Sequence, residues 1–251
     1  MLPYHDENQT ERPAYVTAAL IAANLAAWFF IQGAGAGRSL ASSVCNFGLI
    51  AGELTLSLPV GAGFEMGDNL VCLTDEGPQA AHIFTSMFLH GSWMHLLGNM
   101  WFLWLFGNNI EDSMTRGRFL VFYLLCGVAA ALLQVAADPG SIVPMVGASG
   151  AISGVMGAYL VLYPRVRVFT LVPLGFMLTS VALPAWVMLL YWAGIQFLSG
   201  VTTMGAEATG GVAFWAHVGG FVAGVVLVLL FRRPQRVRAH RSHHWAPRRI
   251  G

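Results

Sequence analysis

The chain has 251 residues, of which 56% are hydrophobic and only 10% charged, against about a quarter charged in ordinary soluble domains. This excludes most soluble readings and places the chain in lipid. Thirteen basic against twelve acidic residues leave a formal net charge of +1, so no global field selects nucleic acid as a partner.

Stretches near the ~20 apolar residues needed to cross a bilayer occur at about 14–32, 90–110, 119–136, 149–163, 184–198 and 212–231. The start before them is rich in Asp6, Glu7 and Glu11 and has no basic n-region, so a cleaved signal peptide is not expected. The predicted fold is all-α and polytopic: a tail over 1–13, a six-span membrane domain over 14–231 and an Arg- and His-rich tail over 232–251. Arg12, Arg116, Arg118, Arg165, Arg167 and the seven arginines after Phe231 fall on one face of this arrangement, and only Arg38 falls on the other. Positively charged loops stay cytoplasmic, so both termini are expected there, with the C-terminal tail as an anchor against anionic lipid. A bacterial inner membrane is the expected location.

The longest connection, about 33–83, lies outside, between the first and second spans. Its apolar pieces FGLI and LTLSLPV are too short to span and are expected as half-inserted interfacial segments. Cys45 and Cys72 fall here, on the oxidising side of a bacterial envelope, and form a candidate disulfide pair that spacing alone does not establish. Cys126, within the third span, reads as a small buried hydrophobe.

Polar groups inside spans are costly and mark function. His90, His95 and Asn99 occur in HGSWMHLLGN, Ser149 and Ser153 in GASGAISG, and His217 in WAHVGG. Counting ~1.5 Å per residue from each cytoplasmic end places Ser149, His217 and His95 roughly 22 to 24 Å in, and Asn99 roughly 18 Å in. Taken singly, Ser149 reads as a small packing residue and His217 as a helix–helix hydrogen bond. Their shared level with His95 and Asn99 points instead to one site.

The fourth span covers only about 22 Å, so SIVPMVGA must enter the membrane as non-helical backbone, which implies an aqueous cavity opening outward. Ser149 then starts a helix, where free N–H groups favour negative charge. A serine, a histidine and oxyanion donors in a wet pocket suggest acyl transfer. No HExxH is present and no Asp, Glu or Cys shares this depth, which disfavours a metal site; no cofactor is expected. Glu111, Asp112, Asp138 and Glu207 are not placed to complete a triad, so a Ser149–His217 dyad is the simpler inference.

These residues resemble the rhomboid family of intramembrane serine proteases over about 82–231, with HGSWMHLLGN, GASG and AHVGGFVAG on three spans in the family's order. The resemblance implies a compact six-helix bundle around a water-filled cavity. It makes Ser149 the nucleophile and His217 the general base, with His95, Asn99 and the Ser149 backbone N–H as the oxyanion hole. It assigns His90, Gly147, Gly150, Gly220 and Gly224 structural support, His90 bracing the outer end of the second helix. Implied partners are single-span membrane proteins, cleaved within or just outside the membrane, and membrane lipids. The fifth span, with Pro184, Trp186, Tyr191 and Trp192, would be a lateral gate, and GVTTMGAEATG a lid. The family often carries an aromatic one turn after the nucleophile that stacks on the histidine. This chain has Ser153 there, so another residue must orient His217; the family's Trp-Arg pair in the first outer loop is also absent. A proteolytically silent membrane client-binding protein or chaperone is the alternative. A transporter is disfavoured, because no inverted repeat and no mid-membrane carboxylate is apparent.

Overall fold

The computed structural model of the protein describes residues 2–66, 70–174, 177–203 and 212–238. Most of the expected lid and the tail beyond residue 238 lie outside the described residues. In chain order, β1 (Leu2–Asp6) precedes α1 (Tyr15–Ala26), which runs on as a π-helical turn over Ala27–Ile31. The outer connection holds α2 (Gly37–Phe47), α3 (Ala51–Leu54), a hairpin of β2 (Gly63–Glu65) and β3 (Val71–Leu73), and the single-turn α4 (His82–Thr85). Then come α5 (Trp93–Asp112), α6 (Arg116–Ala137), α7 (Ser149–Leu162), a second hairpin of β4 (Arg167–Leu174) and β5 (Met177–Pro184), α8 (Ala185–Thr202) and α9 (Phe214–Phe231).

Among the described residues three helices, α6, α8 and α9, are long and apolar enough to cross a membrane. At 20 residues, α5 reaches about 30 Å, but Asn99, Asn108, Asn109, Glu111 and Asp112 dilute its apolar character. Trp101 and Trp104 on α5, Leu132 and Leu133 on α6, and Val222, Val226, Leu229 and Leu230 on α9 are all exposed. So broad an apolar exterior suits lipid rather than water.

At the centre stands α7, buried at every residue from Gly150 to Tyr159. Glycines set its separation from α9. A Cβ on Gly220 would overlap the Gly150 carbonyl, one on Gly224 the Gly154 carbonyl, and one on Gly157 the Phe221 carbonyl. These small residues bring the two backbones into direct contact. On the other side, Gly127 of α6 accommodates Met87 and the Cys126 side chain fills the space beside Gly154, burying the thiol.

Three expectations need correction. The chain is mostly helical but not all-α. In β4 and β5, β-branched and aromatic residues run between Arg167 and Pro184, pairing antiparallel from Arg167↔Pro184 to Leu174↔Met177. β1 adds to the free edge of β4, with a register shift between Pro3 and His5, giving the order β1-β4-β5. Second, α5 starts at Trp93, because the Ser92 side chain accepts from His95 N at 3.1 Å and caps the helix, so His90 lies ahead of it. Third, the apolar piece around Leu49 and Ile50 is packed into protein: both are 2% exposed, and Leu49 shares a small core with Ala51, Ala131 and Val135. Burial against α6 serves these residues as well as a lipid interface would, and a bridge between Leu49 and Met145 ties the loop to the segment entering α7.

At the opposite end from the capped start of α5, its last residues fasten the N-terminal segment. Glu111 accepts from Val16 N (3.0 Å), Thr17 N (2.8 Å) and the Thr17 hydroxyl (2.8 Å), capping α1 from outside. Asp112 accepts from Glu11 N at 2.9 Å and pairs with Arg12 at 3.0 Å. Asp6 at the end of β1 is buried and accepts from the Tyr159 hydroxyl (2.6 Å) and Asn109 Nδ2 (3.1 Å). Burial pushes its carboxyl up from an ordinary 3.8 to about 6, against the opposing effect of the Tyr159 hydrogen bond.

Candidate active site

Residues 138–148 form neither helix nor strand, and this irregular segment delivers the chain to the first residue of α7, Ser149. Gly147 N donates to Ser86 O at 2.9 Å, and Gly147 sits at φ +132, a conformation that favours glycine. A Cβ on Gly147 would come within 2.8 Å of His95 Cε1 and Nε2, so this glycine also lets the His95 ring lie against the backbone leading into Ser149. Among the described residues no side chain caps α7, which leaves its first amides open beside the serine.

His217 lies in the first turn of α9, whose start is held by Gln134 of α6 accepting from Ala216 N at 3.2 Å. The close passage of α7 and α9 brings His217 Nε2 to 2.7 Å from Ser149 Oγ. That is hydrogen-bond distance, the geometry a base requires to take the hydroxyl proton. Ser153, one turn on, turns its hydroxyl back to the Ser149 carbonyl at 2.6 Å.

The groups facing the other side of His217 come from α8. Gln196 Oε1 lies 2.7 Å from His217 Nδ1, and the Trp192 ring lies 5.7 Å from the His217 ring, centroid to centroid, and 6.2 Å from Phe221. Trp192 thus supplies from a neighbouring helix the aromatic that Ser153 does not supply. Of these two, Trp192 is expected from the resemblance as part of a gate, and Gln196 belongs to none of the quoted motifs. The signal was available: Gln196 is a polar residue in an apolar helix, and a count from Ala185 puts it about 16 Å along, close to the level of Asn99.

On α5, His95 Nδ1 accepts from Gly91 N at 3.4 Å, which leaves Nε2 to carry the proton and serve as a donor. Asn99 is 7% exposed and its Nδ2 is buried with no hydrogen-bond partner among the described residues. A buried amide donor without a partner is costly unless something negative visits it. His90 contributes differently. Its backbone N and O pair reciprocally with the Gln32 side chain at 2.8 and 2.7 Å, and its ring meets the His95 ring edge-on at 5.1 Å. The bracing at this end of α5 therefore runs through the His90 main chain. Gly150, Gly220 and Gly224 lie in the α7–α9 contact.

Cys45 at the end of α2 is bonded to Cys72 in β3, with Cα atoms 5.4 Å apart. Among the described residues no three His, Cys, Asp or Glu side chains are grouped to hold a metal.

A helical membrane protein in which a serine and a histidine on adjacent helices share a hydrogen bond has the outline of a serine hydrolase. The family model described as the Rhomboid domain matches residues 77–234. The chain belongs to the rhomboid family. It is 29% identical over 151 residues to Rhomboid protein 1, mitochondrial, of Saccharomyces cerevisiae, covering 57% of this chain and 40% of that protein. It is 32% identical over 153 residues to Rhomboid-like protein 11, chloroplastic, of Arabidopsis thaliana, covering 59% and 51%. With Rhomboid protease GluP of Bacillus subtilis it shares 37% identity over 78 residues, 31% of this chain and 15% of that protein. The chain thus spans about half the length, or less, of these relatives.

Proposed function

We propose that the protein is an intramembrane serine endopeptidase that hydrolyses peptide bonds in or near the membrane-spanning segments of single-span proteins. The observation that carries this reading is the 2.7 Å approach of His217 Nε2 to Ser149 Oγ at the start of α7. His217 takes the hydroxyl proton as Ser149 Oγ attacks the scissile carbonyl carbon. The resulting oxyanion is stabilised by His95 Nε2–H, Asn99 Nδ2–H and the Ser149 N–H. His217 returns the proton to the leaving amine, and water, activated by the same ring, hydrolyses the acyl-enzyme.

The six helical stretches α1, α5, α6, α7, α8 and α9 are read as six spans in one membrane domain over 14–231, with the tails over 1–13 and 232–251 on one side. The arginine distribution supports both termini on the cytoplasmic side. Mitochondrial and chloroplastic proteins stand among the relatives, so the bacterial inner membrane is a proposal from the sequence. α8, with Trp186, Leu190, Tyr191, Ile195 and Leu198 exposed, is read as the lateral gate through which a substrate helix unwinds toward Ser149.

The test is cleavage of a single-span substrate by the full chain in liposomes, beside Ser149→Ala and His217→Ala. Loss of cleavage in both variants supports the reading. Undiminished cleavage in Ser149→Ala rejects it, and a wild type that binds the substrate without cutting it supports the client-binding alternative.

A further inference from the structure

We propose that Gln196 is a positioning residue that fixes the tautomer of His217, making a Gln196–His217–Ser149 relay of the dyad. This rests on the proposed hydrolase reading. A neutral imidazole has one N–H and one lone pair, and only a lone pair on Nε2 can take the serine proton. A free ring next to a hydroxyl is indifferent, because the hydroxyl donates or accepts. The atom 2.7 Å from Nδ1 is Gln196 Oε1, which can only accept. It therefore requires Nδ1 to carry the hydrogen, and the Nε2 lone pair is left facing Ser149 Oγ at 2.7 Å.

The surroundings fit this role. Among the described residues the ring's hydrogen-bond partners are Gln196 and Ser149 and no carboxylate, and Glu111 and Asp112, the acidic residues on α5, are engaged at the other end of that helix with Val16, Thr17, Glu11 and Arg12. Trp192, one turn before Gln196 on the same face of α8, packs on the His217 ring, so the helix supplies both a plane and an acceptor. A neutral acceptor brings a smaller desolvation cost into the membrane than an Asp would. As His217 becomes imidazolium in the attack, the same oxygen keeps the Nδ1–H hydrogen bond without a change of partner.

The experiment pairs kinetics with a direct reading of the ring. Gln196→Leu removes the acceptor and is expected to lower kcat by about 10-fold or more with KM little changed, the loss of roughly one hydrogen bond in the transition state. Gln196→Glu, which presents an oxygen to Nδ1 whether ionised or protonated, is expected to recover most of that loss. In [15N]histidine-labelled protein, with His217 assigned by difference from His217→Ala, the ring is expected to be Nδ1-protonated in Ser149→Ala and to lose that preference in Ser149→Ala/Gln196→Leu. Equal kcat in wild type and Gln196→Leu, equal losses in the Leu and Glu variants, or an Nε2-protonated ring with Gln196 in place would each overturn the proposal. If no Ser149-dependent cleavage is found, the hydrolase reading fails by itself, and the nitrogen spectrum still decides the tautomer.

Discussion

Gly220 of α9 rests on the main-chain carbonyl of Gly150, one residue beyond Ser149 on α7, with no room for a methyl group between them. This contact sets the spacing of the dyad, because His217 lies three residues before Gly220 and shares its helix. Gly220→Ala should force the helices apart and cost about 1–3 kcal/mol of stability. A displacement of about 1 Å at the dyad should also reduce cleavage by about 10²-fold. Thermal unfolding in detergent and substrate cleavage measure the two effects; wild-type values for both would refute the account.

Asn99→Ala and His95→Ala remove donors without enlarging the α7–α9 contact. Each is expected to lower kcat by about 10²-fold while the melting temperature changes little. A steady-state comparison with labelling of Ser149 by a small fluorophosphonate separates the roles: a loss confined to KM would remove these residues from the oxyanion hole.

The bond between Cys45 and Cys72 closes a loop of 27 residues in the outer connection. In the chain-entropy description such a loop contributes about 3–4 kcal/mol. Cys45→Ser/Cys72→Ser should lower the unfolding temperature, and reduction of the wild type should reproduce the shift. Intact-mass analysis under non-reducing conditions should show the pair two hydrogens lighter than the reduced chain.

Asp6 gives the N-terminal strand a dependence on pH. Its carboxyl is raised from 3.8 to about 6 in the folded protein, so the folded state holds a proton that the unfolded chain has released over that interval. Its stabilising contribution is full below about pH 4 and is lost as pH rises through about 6, an effect of at most about 3 kcal/mol. Asp6→Asn keeps an oxygen for Tyr159 and Asn109 but cannot ionise. Hydrogen exchange of β1 should therefore slow from pH 7.5 to pH 5 in the wild type, after correction for intrinsic rates, and the variant should show no such change.

Much of the site was legible because lipid makes polarity conspicuous. Ser149, His217, His95 and Asn99 stand out in apolar helices, and counting residues from the charged ends placed them at one level. Gln196 stands out by the same criterion, as a polar residue in the apolar fifth span. The three-stranded sheet was harder to read. RVFTLVPL and MLTSVALP are short and flanked by prolines and glycines, and β1 becomes a strand only by pairing with β4, some 160 residues away. Likewise FGLI is apolar without revealing whether lipid or α6 would cover it. Such outcomes depend on partners distant in sequence, which local periodicity does not carry.

Trp192 and Gln196, which hold the His217 ring, belong to α8, the helix proposed to part for an incoming substrate. On that reading opening and arming would exclude each other: each outward swing of α8 would unlatch the base, and each return would rebuild it around whatever has entered. Such an interlock would leave the open protein chemically idle toward the lipids and water at its mouth, and confine bond cleavage to chains that stay until the door shuts.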